Sequence, residues 1–316
     1  MKVNVFTILS IASLIIISTL FIYTIWPSKA PNNTVYSINQ VHTYLDTDGH
    51  KKIIIPLFIE SNNILFDVEM ITKIAIRDVS SDQWFALHLN TIEPVYQFNH
   101  HGTLLRHVNL HVELAFKTEQ QALFIADAVL IVNLKNDTTY ELPIGEFNYW
   151  FIDISNRNDL SVKHIHNVHQ NIGFGETSTG LLITLENQLA STLCLLDISL
   201  NSTKVKPNFG YLMVYEDAFD PFIDASLIMG IDYNHLENKP KTIKEHCMIN
   251  YQTKSVFIPY DYLSEIVLTH YPILITYRVN REIKQFIIED FTFIRTDWPL
   301  ENYKGVIHQN EPITMD

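Results

Sequence analysis

The stretch from Val5 to Trp26 carries no charged side chain, is rich in Ile and Leu, and constrains this chain more than any other feature. At a helical rise of about 1.5 Å per residue, a segment of that length matches the roughly 30 Å hydrocarbon layer of a bilayer. Tyr23 and Trp26 fall where an interfacial aromatic belt belongs. A cleaved signal peptide would have a shorter apolar core of roughly 7–15 residues, and Pro31 would follow the small-residue pattern Ser28-Lys29-Ala30 directly. The sequence therefore predicts a retained transmembrane helix over residues 5–26. Residues 1–4 form a short cytoplasmic N-terminus and 27–34 a stalk, with membrane lipid as the first partner. So short a leading segment places the N-terminus inside and the long C-terminal part outside.

The chain has 316 residues, of which 47% are hydrophobic, enough to fill more than one core. Its formal net charge is -13, and the charges of the first thirty residues are Lys2 and Lys29, so the remainder is more acidic than the whole. Such a surface repels phosphate backbones, which argues against nucleic acid as a partner.

Downstream of the stalk come short apolar runs of strand length: 52–59, 71–79, 104–116, 128–134 and 140–151. They are rich in Val, Ile, Phe and Tyr and punctuated by Asn, Asp, Gly and Ser, the pattern of an antiparallel β protein. In the third run Val108, Leu110, Val112 and Leu114 alternate with His107, Asn109, His111 and Glu113, so one face is expected in a core and the other in solvent. An ungapped internal match pairs Val129–Phe151 with Ile273–Arg295, each reading as a hairpin turned at Asn136 or Asn280. A short helical pattern precedes each copy, at Thr118–Gln121 and Asp261–Glu265.

Repeat logic then predicts a mainly β protein with two tandem immunoglobulin-like β-sandwich domains, over 35–155 and 179–297. Residues 156–178, with weak apolar periodicity, read as a linker, and 298–316 as an irregular tail.

Candidate chemistry is sparse. His164, His166 and His169 cluster in the linker and are the residues to weigh as transition-metal ligands. His107 and His111, four apart on one strand face, stand about 13 Å apart at strand rise and cannot share an ion. Asp217, Phe219, Asp220 and Phe222 interleave carboxylates with aromatic side chains, as an exposed binding loop does. Cys194 and Cys247 are candidates for a disulfide, which would contribute about 4 kcal/mol in the chain-entropy model. Gly-x-Ser-x-Gly, His-Glu-x-x-His and phosphate-loop patterns do not occur, so neither a catalytic residue nor a cofactor is predicted.

These features favour a single-pass, extracytoplasmic protein-binding or scaffold protein, an accessory subunit of a membrane assembly such as a transporter or secretion complex. Its expected partner is another membrane or extracytoplasmic protein. A membrane-tethered metal-dependent hydrolase and a sensor or receptor ectodomain are the competing expectations.

Overall fold

The computed structural model describes residues 33–46, 51–61, 63, 66–115, 122–151, 159–171, 176–215, 231–232, 242–243, 247–249, 251–292 and 306–314. The predicted membrane helix and the candidate loop residues Asp217, Phe219, Asp220 and Phe222 lie outside them. Among the described residues no helix is long and apolar enough to cross a membrane.

The protein is mainly β. Its strands are β1 (Val35–Ile38), β2 (Gln40–Asp46), β3 (Ile53–Glu60), β4 (Ile71–Asp78), β5 (Trp84–His100), β6 (Thr103–Leu114), β7 (Leu123–Leu134), β8 (Thr138–Phe151), β9 (Leu160–Asn171), β10 (Glu176–Asn187), β11 (Leu193–Ser199), β12 (Val205–Pro207), β13 (Met213–Tyr215), β14 (Ile231–Asp232), β15 (Thr242–Ile243), β16 (Cys247–Met248), β17 (Thr253–Tyr262), β18 (Val267–Val279), β19 (Glu282–Thr292), β20 (Ile307–Asn310) and β21 (Ile313–Thr314). Among the described residues the helical content is one 3-10 turn at Phe209–Tyr211. The expected helical start at Asp261–Glu265 is instead the end of β17 and a bend.

A 14-stranded sheet runs in the order β16-β11-β18-β2-β8-β7-β4-β5-β6-β3-β1-β20, with β19 added beside β18 and β21 beside β8. Its first-half strands curl round one apolar core that includes Ile55, Leu57, Val108, Leu110, Leu130 and Leu142. The corner is made by β5, whose start pairs with β4 and whose remainder pairs with β6, with register shifts at Leu89/Thr91 and Pro94/Tyr96. Such bulges bend a strand from one layer to the next. A second sheet, β14-β9-β10-β17-β13-β15, packs face to face on the β11–β18 end of the first. The second core lies between them, with Leu181, Ile183, Val256 and Ile258 on one side and Leu195, Ile273, Ile275 and Tyr277 on the other.

One strand joins the two regions. Along its whole length β2 is buried, with β8 parallel on one side throughout and β18 parallel on the other at Gln40 to His42. An all-antiparallel arrangement is therefore not what forms. Both predicted hairpins are present. The β18–β19 turn is the two-residue Asn280-Arg281, both at positive φ (+49° and +74°), as a twist-matched hairpin requires. In the β7–β8 turn the positive φ falls on Asp137 (+57°).

Two segments differ from expectation. Residues Leu160–Asn171, read as linker, form β9, a strand paired along its length with β10. Its inward face carries Asn167, which accepts hydrogen bonds from Ser178 and from the Tyr271 hydroxyl (3.3 Å), and Tyr260 donates to Tyr271 in turn (3.3 Å). A polar network between the sheets replaces the apolar periodicity that would have marked a strand. Burial pushes the Tyr271 phenol up to about 12, so it stays a neutral donor. The tail is likewise not irregular throughout, because β20 pairs antiparallel with β1 and β21 with β8, lacing the described C-terminus onto the N-terminal strands.

His107 departs from its predicted solvent face. The outward side of β6 is covered where Phe58 of β3 and Tyr96 of β5 flank it, with ring centroids 4.9 and 5.0 Å from the imidazole. Neither ring nitrogen has a hydrogen-bond partner, and desolvation lowers its pKa from 6.5 to about 4. The folded state thus refuses a proton that the unfolded chain accepts below pH ~6.5. The stabilisation is complete above that pH and is lost as pH falls toward ~4, to the extent of about 3 kcal/mol. We expect His107→Phe to remove most of that acid-dependent loss, read as the difference between urea midpoints at pH 7 and pH 4 in variant and parent.

Candidate functional site

The site is built on a phase change in the β7–β8 hairpin. In β8, Tyr140, Leu142 and Ile144 enter the first core, and beyond Gly145 the inward residue is Phe147. In β7 the inward set passes from Leu130 and Ala128 to Ile125 across a register shift at Ala126–Asp127. Gly145 has φ +92°, a region that glycine enters at no steric cost. Without that bulge, strict alternation would drive Glu146 and Asn148 into the apolar core.

Instead the two polar residues face the turn between β11 and β12. The wholly buried Glu146 carboxylate accepts hydrogen bonds from Ser202 Oγ (2.5 Å), Thr203 N (2.7 Å), Thr203 Oγ1 (3.1 Å), Lys204 N (3.3 Å) and Asn148 Nδ2 (2.8 Å). Asn148 Nδ2 also donates to the Asn201 carbonyl at 2.9 Å. A carboxylate has about four lone-pair sites, so the set saturates it. The contacts tie a first-half strand to a second-half turn.

Beside this tie lies a cleft of about 410 Å³. One wall is the bulged hairpin, with Val79 next to it; the other is Lys204, Ser264–Ile266 and His308 of β20. The β7 bulge swings Asp127 out to meet Lys204 Nζ at 3.0 Å. Asp127 is two-thirds exposed, so this ion pair contributes about 0–1 kcal/mol and serves chiefly to set the rim. His308 Nε2 is buried with no hydrogen-bond partner, and desolvation lowers the pKa of its imidazole. The Glu265 side chain makes no ion pair among the described residues. Apolar walls with a few convergent polar groups at this volume suit small-ligand or side-chain binding.

Those residues singled out from sequence that the structure describes lie elsewhere. His164 and His166 share the outward face of β9, with ring centroids 6.4 Å apart, whereas His169 is on the inward face and buried. Strand alternation keeps the third histidine from the other two, and no group of three metal-ligating side chains occurs among the described residues. Cys194 and Cys247 are bonded to each other and sit directly opposite on β11 and β16. Asp127, Lys204, Glu265 and His308 were not legible as a set. The available signal was Gly145, since an isolated glycine in a strand pattern marks a bulge or a close backbone approach.

Two substitutions test this construction. A Cβ at position 145 would come within 2.5 Å of the Gln40 carbonyl oxygen, as well as straining the backbone, so Gly145→Ala should cost about 3 kcal/mol or more in urea unfolding. Glu146→Ala leaves several buried donors unsatisfied and should cost about 3 kcal/mol, with Glu146→Gln intermediate because it retains one acceptor oxygen.

No family model matches the chain, and no curated protein matches it. Among solved structures it is similar to "BspA_C_WT", at 8% identity over 79% of this chain and 97% of that one, with a TM-score of 0.20. It is also similar to the Streptococcus agalactiae AgI/II polypeptide BspA C terminal domain, at 9% identity and the same coverage and TM-score. Likeness at that level carries neither a shared fold nor a role to this chain.

Proposed function

We propose that this chain is a single-pass, membrane-anchored protein that presents two immunoglobulin-like β-sandwich domains outside the membrane and binds another protein there as an accessory or scaffold subunit. The apolar run at residues 5–26 supports the anchor, and two separate apolar cores support the two-domain reading. The domains depart from immunoglobulin pattern in two respects. The disulfide joins neighbouring strands of one sheet, where an antibody domain bridges its two sheets, and β2 is shared between the regions.

The observation that carries the binding reading is the cleft at the junction, whose walls come from both regions and from the C-terminal strand. A partner seated there would read the relative placement of the two regions as well as their surfaces. The Glu146 tie presets that placement, so ordering costs on binding stay low.

The test is purification of the full-length chain from its native membrane in gentle detergent, beside a Val79→Lys variant. Val79 is more than half exposed on the rim, so the change leaves the fold intact while altering the cleft. We expect the parent to fractionate with membranes and to carry a protein at fixed ratio that the variant loses. Recovery of the chain alone, or equal recovery of the partner with both chains, would overturn this reading.

A further inference from the structure

One end of the second region gathers exposed apolar and cationic side chains, and strand register places them together. Cys247 of β16, Cys194 of β11, Arg278 of β18 and Ile283 of β19 lie side by side in one row across four neighbouring strands. Met248, Leu193, Leu195, Tyr277 and Val279, which flank that row, enter the second core, as do Phe286 and Ile288 further along β19. Strand alternation therefore turns the row outward. Just past it the chain turns between β16 and β17, between β10 and β11, and between β18 and β19. At this end Ile283, Ile249 and Tyr251 are 69%, 63% and 63% exposed, and Ile283 is the most exposed large hydrophobic side chain among the described residues.

The turns that carry these side chains are held firmly. The buried Asn187 donates from Nδ2 to the carbonyls of Ser191 (2.7 Å), Met248 (3.2 Å) and Ile249 (3.1 Å), and Tyr251 N donates to the Leu189 carbonyl at 3.3 Å. The Cys194–Cys247 bond fastens the same place. Tyr251 has φ +51°, uncommon for a bulky residue and kept where the surroundings over-determine it. Such strained positions cluster where a ligand is met, and an aromatic ring left in water gains little from folding.

Charge selects the occupant. Arg278 and Arg281 are both exposed, and neither makes an ion pair, whereas the neighbouring Lys284 is held by Asp159 and approached by Glu282 at 4.0 Å. At physiological salt the Debye length is about 8 Å, so a group at this end senses the two guanidinium groups more than the chain's total of -13. A second copy related by a two-fold axis through the patch would set guanidinium against guanidinium. A bilayer also fits poorly. Gln40 pairs with Gly145 of β8 and Val267 of β18; Asn33 lies back toward the start of β8, where its carbonyl accepts from the Tyr140 hydroxyl. Val279 lies twelve residues the other way along β18, roughly 40 Å at strand rise, so this end points away from where the chain enters the fold.

We infer that this end of the second region is a further interaction surface, separate from the junction cleft, which binds a partner protein presenting carboxylates around an apolar hollow. Ile249, Tyr251 and Ile283 are its apolar anchors, and Arg278 and Arg281 grip the carboxylates, as the planar fork of arginine suits. Tyrosine and arginine are the residue types that most often dominate interface energetics.

The test uses full-length protein in detergent at physiological salt and two peptides: acetyl-Glu-Asp-Leu-Phe-Asp-Glu-amide and its uncharged analogue with Gln and Asn at the acidic positions. Methyl NMR of Ile249 and Ile283 and fluorescence anisotropy report binding. We expect the acidic peptide to shift both methyl resonances and to bind about tenfold or more tightly than the analogue. Arg278→Gln combined with Arg281→Asn should bring the two peptides to equal affinity. Ile283→Ser combined with Tyr251→Asn, the latter residue tolerating positive φ, should weaken both. The variants should keep the parent's urea midpoint, because the substituted side chains are exposed. Equal binding of the two peptides by the parent, or shifts absent from Ile249 and Ile283, overturns the inference. So does self-association of the parent that Ile283→Ser abolishes, which assigns the surface to a second copy, or binding to phosphatidylserine vesicles that the double arginine variant abolishes, which assigns it to a lipid headgroup.

Discussion

A single buried carboxylate holds the two regions of this protein in register. Glu146 sits on a first-half strand and is saturated by hydroxyl and backbone donors, four of its five bonds coming from the turn that opens β12. Charge-assisted bonds of this kind are short and directional, and a buried anion tolerates no unpaired alternative. The turn must therefore present its N–H groups in one arrangement. The neighbouring Lys204 side chain and the approach of the second region to β8 follow from it. Gly145 is the precondition, since the phase change at that residue turns Glu146 away from the first core.

The rest of the framework repeats the pattern of polar specification laid over apolar bulk. The second core obtains its driving force from aliphatic side chains on both sheets, but its end is fixed by the Tyr260, Tyr271, Asn167 and Ser178 network. The Cys194–Cys247 bond fastens the edge strand β16 to β11. On β19, Lys284 bonds Asp159 at 2.5 Å and anchors the start of β9. Hydrophobic burial supplies magnitude without direction, whereas these groups choose one packing among many of similar area.

What sequence made legible follows from the same division. A strand that buries one face against aliphatic core, such as β6, shows clean alternation, and both hairpins were marked by Asn in the turn, although in the β7–β8 turn the positive φ falls one residue later, on Asp137. The strand β2 has no such signature. Its residues Gln40, His42, Thr43 and Asp46 are buried along the parallel β8 ladder, with β18 pairing Gln40 to His42 on the other edge, so polarity and burial coincide. In β9 the inward face carries Asn167 and His169, which reads as the composition of a linker. His107 was assigned to solvent by correct alternation, and what a single strand could not show was the aromatic cover contributed by its neighbours. The cleft depends on a bulge that brings together residues from widely separated stretches of chain, information that exists only once register is set.

The threading of β2 also governs when the protein can become itself. Gln40–Asp46 is among the first described segments to be made, yet its two flanking ladders come from β8 and from β18, and the adjoining β1 closes against β20 near the far end. Contacts of such sequence separation exact their loop-closure entropy before they return any stabilisation, and they slow folding accordingly. While it is being made, the nascent chain carries an early strand with both hydrogen-bonding edges open. The polar character of that strand, His42 and Thr43 included, makes it a poor seed for pairing with another copy, so the residues that hid β2 from sequence analysis also guard it during the wait.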